Sequence, residues 1–197
     1  ECFLSDVSAG PQTRVEMGMA LTSVETARRQ QRFFGATAAG DSLGFSFGVY
    51  QSDADKFMSS CQDGKAGDKD GGLLLSKVLN RRLVVSLDAP YEGWAGYRSD
   101  IVDGDTGDSY AASTFIATRT QTANRTIGIA CDMGTGAPAH VAKMKIYFFR
   151  VFEEGRLIRC YVPYWDDGKT VIGFKELFTG AIVENALGGL VTAGGEM

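Results

Sequence analysis

The stretch KIYFFRVFEEGRLIRCYVPYW, Lys145 to Trp165, limits what this chain can fold into more than any other part of it. Two runs rich in Tyr, Phe, Val and Ile, Lys145 to Phe152 and Arg156 to Val162, flank a short connection carrying Glu154-Gly155. Such residues favour extended backbone, and Gly at the connection supplies the positive φ that a tight hairpin needs. Pro163 is expected to end the second strand, because it has no N–H to give to a ladder. Both faces of the first run are apolar, with Ile146, Phe148 and Phe152 on one and Tyr147, Phe149 and Val151 on the other. A strand of this kind is covered on both sides or has one face against another module.

The rest of the chain repeats the theme. Arg14 to Leu21 alternates Val15, Met17 and Met19 against Arg14, Glu16 and Gly18, which marks a strand with one wet face. Leu43 to Tyr50 sets Leu43, Phe45, Phe47 and Val49 against Gly44, Ser46 and Gly48, a face so stripped of side chains that something must pack close over it. Lys56 to Cys61 and Arg81 to Asp88 read as strands, and Gly93 to Val102 pairs with the latter. Tyr110 to Arg119, Thr126 to Asp132, Thr170 to Lys175, Ala181 to Glu184 and Leu190 to Thr192 supply further extended runs. Asp63 to Gly72 and Asp103 to Asp108 read as loop and turn from their Gly and Asp content, and Thr26 to Gln31 as a short helix or exposed loop. Roughly a dozen short strands with no long helix predict an all-β fold of two packed antiparallel sheets, and no fixed repeat points to a propeller or solenoid.

Composition agrees and excludes. The chain has 197 residues, 44% of them hydrophobic, with 25 Gly against 4 Pro, enough to bury one core as a single domain over 1–197. A net charge of -4 with 20 scattered Lys and Arg builds no nucleic-acid surface. No apolar run approaches the roughly 18 residues of a membrane span, so no membrane insertion is expected. The start at Glu1 reads as a processed protein or excised domain. Cys2, Cys61, Cys131 and Cys160 lie too far apart for a CxxC site, and their pairing is open in the sequence; the simplest reading leaves them as buried thiols.

The C-terminal third, AKMKIYFFRVFEEGRLIRCYVPYWDDGKTVIGFKELFTGAIVEN from Ala142 to Asn185, resembles the closing segment of laminin G-like domains in the concanavalin A-like lectin/glucanase superfamily, in its bacterial and phage branch. The positions that carry the likeness are Lys145, Ile146, Tyr147, Phe149, Gly155, Leu157, Arg159, Tyr161, Pro163, Gly173, Leu177, Gly180 and Asn185. Glu176 stands where that branch has Asp, and Cys160 where it has an acidic residue; Gln31 to Ala36 resembles its early strand. The resemblance implies a jelly-roll β-sandwich of the kind attached to bacterial surface or secreted proteins and phage fibres, where such domains bind glycans or proteins or pack against neighbours.

Glucanases of that superfamily carry their two catalytic carboxyls in an E-x-D-x-E or E-x-D-x-x-E strand pattern, which this chain lacks. Asp53 and Asp55, like Asp103 and Asp105, are paired without a flanking Glu. His140, the sole histidine, has no nucleophile elbow beside it. The expectation is therefore a non-catalytic protein. Sugar binding needs aromatic platforms with polar groups beside them, and Tyr91, Trp94 and Tyr97, with Tyr164, Trp165 and Asp166, supply both. No cofactor is required; Asp103, Asp105 and Asp108 are the candidate ligands should Ca²⁺ bind. The sequence thus predicts a recognition module for glycan or a surface protein, extracellular, on a cell surface or virion-associated. The rival is an assembly domain, homo-oligomeric or with other chains, that buries the small-residue face around Gly44, Ser46 and Gly48.

Overall fold

The structure, a computed structural model, describes residues 2–22, 30–36, 45–50, 56–61, 68–88, 97–115, 126–133, 138–139, 142–165 and 171–186. These form strands β1 (Phe3–Ser8), β2 (Thr13–Leu21), β3 (Gln30–Gly35), β4 (Phe45–Tyr50), β5 (Lys56–Cys61), β6 (Asp68–Leu74), β7 (Leu83–Asp88) and β8 (Tyr97–Asp103). There follow β9 (Ser109–Phe115), β10 (Thr126–Ile129), β11 (Asp132–Met133), β12 (Pro138–Ala139), β13 (Met144–Glu153), β14 (Arg156–Trp165), β15 (Val171–Glu176) and β16 (Ile182–Glu184). A 3-10 turn at Leu75–Lys77 is the sole helical element among the described residues. No helix there is long and apolar enough to cross a membrane.

The strands make the expected two-sheet antiparallel jelly-roll sandwich. One sheet has six strands in the order β1-β10-β3-β4-β5-β6, the other eight in the order β16-β15-β14-β13-β2-β7-β8-β9, and β11 and β12 form a small ladder apart. Strand β2 shows why the sheets face each other. Its Val15, Met17 and Met19 are fully buried, and each has an inward neighbour on both sides: Val151 and Leu87, Phe149 and Val85, Ile146 and Leu83. The six-stranded sheet answers with Phe33, Phe34, Phe45, Phe47 and Phe57. The ring of Phe34 meets that of Phe149 across the gap at 5.9 Å, and Phe3 meets Phe174 edge-on at 4.7 Å. Each aromatic pair adds about 0.5–1.5 kcal/mol to the stability gained by burying its area.

Four readings change on the folded chain. Strand β14 runs through Pro163 to Trp165, because the pairing of β13 with β14 has ended by Tyr161 and the missing N–H falls where no partner waits. Strand β6 takes Asp68 to Gly72 out of the expected loop; as the outermost strand it needs only backbone pairing with β5, which tolerates Gly and charge. Gln31, expected in a helix or loop, is buried in β3. In β13 a bulge between Ile146 and Phe148 moves Ile146 to the inward side with Phe149 and Val151, leaving Phe148 and Phe152 outside. The hairpin turn is as read, with positive φ at Glu154 and Gly155.

Ser46 is buried within the chain, and Gly48 lies close against the neighbouring strand of its own sheet. A Cβ at position 48 would strike the carbonyl of Gln31 and the Cα of Arg32 on the neighbouring strand, and both Ser46 and Arg32 are buried. Gly44 lies outside the described residues, as does the run Leu190 to Thr192.

Two devices close the sandwich at the β1 rim. Cys2 and Cys131, both fully buried, form a disulfide with a Cα–Cα distance of 5.3 Å, which corrects the reading of these two as thiols; Cys160 is a buried free thiol. Asp6 of β1 receives Arg159 of β14, with Nε at 3.0 Å and one terminal nitrogen at 2.8 Å, and accepts the Tyr161 hydroxyl at 2.6 Å. The Arg159 guanidinium, helped by Tyr161, holds the Asp6 carboxyl at about 2 against a partial burial that would raise it. A lowered carboxylate pKa contributes stability that is complete above the ordinary value near 3.8 and lost as pH falls through about 2. Thermal melts should therefore hold steady down to about pH 4 and weaken below it, with Asp6→Asn blunting that loss. An unchanged acid limb in Asp6→Asn would assign the effect to other carboxylates.

Candidate functional site

The outward face of the eight-stranded sheet carries an ordered set of side chains in cross-strand rows. In the first, Phe152 of β13 lies opposite Arg14 of β2, Arg14 opposite Asp88 of β7, and Asp88 opposite Arg98 of β8. The next row runs Cys160, Arg150, Glu16, Ser86, Asp100 and Ala112. The third holds Phe148, Gly18, Val84 and Val102. Because successive residues alternate faces, these rows are the complement of the inward Val15, Met17, Val85, Leu87 and Phe149.

Charges in the first two rows are interlocked. Arg14 pairs with Glu16 and has Nε 3.6 Å from Asp88; Arg98 grips Asp100 with Nε at 2.7 Å and a terminal nitrogen at 2.8 Å; Arg150 reaches Glu16 at 3.9 Å. Aromatic rings support two of the guanidiniums. Arg150 stacks on Phe148 with Cζ 4.2 Å from the ring centroid, and Arg14 lies 5.2 Å from that of Phe152. The Phe148 ring fills the place where a Cβ on residue 18 would sit, so Gly18 is what lets it lie down on the sheet. Burial raises the Asp88 carboxyl above its ordinary range; Asp100 and Glu16 add to this and Arg14 opposes it.

The aromatic positions singled out in the sequence separate on folding. Trp165, at the end of β14, is 56% exposed. Tyr164 beside it is half-buried on the outward face, opposite Gly173, with the Lys175 ammonium 6.0 Å from its ring centroid. Tyr97 is corrected: the alternation of β8 turns it inward with Ser99 and Ile101, it belongs to the core at 1% exposure, and it cannot serve as a platform. Tyr91, Trp94 and Asp166 lie outside the described residues, as do His140, Asp53 and Asp55.

Asp103, Asp105 and Asp108 do share one loop between β8 and β9, where their oxygens hold the turn together. Asp103 accepts the backbone N–H of Asp105 at 2.9 Å and of Thr106 at 3.0 Å, and the Tyr110 hydroxyl at 2.6 Å. Asp105 pairs with Arg82 at 3.2 Å, and Asp108 accepts the Thr106 hydroxyl at 2.8 Å. The Tyr110 hydroxyl, with the two backbone donors, holds the Asp103 carboxyl at about 2. Among the described residues no group of three or more His, Cys, Asp or Glu is arranged to hold a metal ion.

A second exposed feature is apolar. Glu176, buried at the end of β15, accepts the backbone N–H of Cys160 at 3.0 Å, of Phe178 at 3.0 Å and of Thr179 at 2.7 Å, and the Thr179 hydroxyl at 2.8 Å. Burial would raise this carboxyl, but those donors together outweigh it and lower its pKa. The turn they fix presents Leu177 and Phe178 to solvent.

No protein-family model matches the sequence, and no curated protein matches it either. Among solved structures the chain is similar to full-length tailspike protein 2 of an Escherichia coli O157:H7 bacteriophage, with a TM-score of 0.52, 11% identity, 90% of this chain covered and 25% of that one. It is similar also to the NanB sialidase of Streptococcus pneumoniae, with a TM-score of 0.52, 14% identity, and 79% and 25% of the two chains covered. Likeness at this identity establishes a shared β-sandwich fold. The chain spans about a quarter of the length of each.

Proposed function

We propose that this protein is a non-catalytic recognition module that binds glycan, a laminin G-like sandwich of the concanavalin A-like kind, carried on a secreted, cell-surface or virion protein. The observation that carries the reading is Trp165, a large aromatic left 56% exposed at the end of β14 and next to Tyr164 on the outward face of the eight-stranded sheet. Sugars stack their C–H faces on such rings while charged and amide groups take the hydroxyls. The names of the structural neighbours, a tailspike and a sialidase, concern those proteins, and they support a glycan-linked reading here by analogy. The Cys2–Cys131 disulfide supports an oxidising, extracellular setting.

A glycan array should show binding that Trp165→Ala weakens about tenfold, the loss of one stacking platform being worth about 0.5–1.5 kcal/mol beyond its buried area. An array with no binder, or binding indifferent to Trp165, would end the reading. Non-catalysis rests on the missing carboxylate triplet and on the guanidinium partners of Glu16, Asp88 and Asp100. Calcium at the Asp103–Asp108 loop would show as a melting temperature lowered by EDTA; the hydrogen bonds already made by Asp103 lead us to expect no change.

The assembly reading has its own observation. Leu177 at 53% and Phe178 at 60% exposure, on a turn pinned by a buried carboxylate, are the kind of fixed apolar knob that a protein partner covers. A solution mass that rises with protein concentration, and falls back in Phe178→Asp, would favour it.

A further inference from the structure

We propose that Arg14, Arg98 and Arg150 form a reader for the oxyanions of an acidic polysaccharide, the groups recognised being sugar carboxylates or sulfates; this rests on the glycan-binding reading and names its ligand class. The charged side chains of this face stand at different heights. Across the array the side chains of Arg14, Arg98 and Arg150 are 42%, 49% and 41% exposed, while those of Glu16 and Asp100 are only 15% and 18% exposed and that of Asp88 is 35% exposed. An ordinary surface pair looks different: Arg82 and Asp105, on the same sheet's rim, are 51% and 61% exposed, so both ends are in water. On the outward face Glu16 and Asp100 form a lower tier, the three arginines an upper one, and Asp88 stands between them. Three arginines face three carboxylates, yet the side chains that stand furthest into solvent are the arginines.

The lower tier also orients the upper. Asp100 takes the Nε side of Arg98 and one terminal nitrogen, leaving the other terminal nitrogen unclaimed by that pair. Arg150 is held flat on Phe148, itself pressed onto Gly18, and Arg14 is steered by Glu16 and Asp88. A guanidinium fixed in this way meets an oxyanion through parallel N–H groups without first losing side-chain freedom. The three arginines lie on β13, β2 and β8, three strand spacings from end to end, or roughly 14 Å. That span suits several charged sugars in succession rather than one small anion. The net charge of -4 repels acidic polymers in general, so retention of one would report this face.

Affinity electrophoresis of the protein through gels containing polygalacturonate, dextran sulfate or neutral dextran tests the proposal. Retardation is expected in one or both acidic gels and not in dextran. Arg98→Gln and Arg150→Gln should each weaken it about tenfold or more, Arg98→Lys should recover only part, and Arg81→Gln, at the distant rim, should change nothing. Polygalacturonate alone would identify the anion as carboxylate, dextran sulfate alone as sulfate. Melting curves of Arg98→Lys, which keeps a cation over the sunken Asp100, should match the parent within a few degrees, and binding by the Gln variants is read below their own melting temperatures. Retardation equally reduced by Arg81→Gln, or unchanged in Arg98→Gln and Arg150→Gln, would overturn the proposal. Binding confined to neutral glycans and lost in Trp165→Ala would overturn it while leaving the glycan reading standing; an array with no binder at all would remove both.

Discussion

Reduction of the Cys2–Cys131 disulfide, or Cys131→Ser, is expected to lower the unfolding free energy by about 4–5 kcal/mol. The bond closes a sequence separation of 129 residues, so the unfolded chain gains much freedom when it is cut. The folded state has few means of compensating. Strand β1 is the edge of its sheet and pairs only with β10, and its register already shifts between Leu4 and Ser8. Without the bond, its hold on the sandwich rests on that ladder, the buried Phe3 and its contact with Phe174, the bonds from Arg159 and Tyr161 to Asp6, and the bonds Cys2 N–H to Asn185 Oδ1 at 3.0 Å and Ala186 N–H to the Cys2 carbonyl at 2.7 Å. For a chain of this size the loss amounts to a fall of about 10–20 °C in melting temperature. Calorimetry with and without reductant measures it, and a shift of only a degree or two would mean that the unfolded state is constrained by something else.

Phe149→Ala should cost about 3–5 kcal/mol. The ring is fully buried on β13 and stands between Phe34 of the opposite sheet at 5.9 Å and Tyr161 of its own at 6.0 Å, with Met17 paired beside it. Neither neighbour is placed to fill the hole. Tyr161 is tethered through its hydroxyl to Asp6, and Phe34 is wedged against Phe45 and Phe47. The cavity would therefore stay open rather than collapse, which puts the change at the upper part of the range for aromatic truncations. Phe149→Leu, which keeps most of the volume, should cost well under half as much. Equilibrium denaturation in urea distinguishes the two; equal costs would mean that the ring's shape, not its volume, is what the site requires.

The fold was legible because its signals are local. The alternation of Val15, Met17 and Met19 in β2, the Glu154-Gly155 turn and the DGDTGD loop each need only a few consecutive residues to be recognised, and each does locally what its residue types favour. The failures come where a distant partner decides. Pro163 could stay in a strand because β13 stops pairing there, and Asp68 to Gly72 could join one because β5 offers a free edge; neither fact is written in the residues themselves. The disulfide needed the sandwich to bring Cys2 to Cys131.

The candidate site was less legible than the fold for the same reason. Trp165 announces itself by its charged surroundings, whereas Tyr97, in an equally aromatic run, is turned inward by the phase of its strand. The charged array is drawn from β2, β7, β8 and β13, so Arg14 and Arg150 share Glu16 although most of the chain lies between them. A signal did exist in the polar positions of each alternating strand, Arg14 and Glu16 or Arg98 and Asp100, but only the register shows that they stand side by side.

The bulge in β13 has a consequence for assembly of the sheet. Because Ile146 and Phe149 both point inward though three residues apart, the two halves of the strand are out of step with each other. A sliding error of one position would throw Phe149 and Val151 into water, and an error of two would still misplace the kink against Gly18, the one outward residue on β2 small enough to receive Phe148. The strand therefore works as a notched key: its bulge fits beside β2 in the alignment that lays Phe148 over Gly18, and the cross-strand rows depend on that alignment.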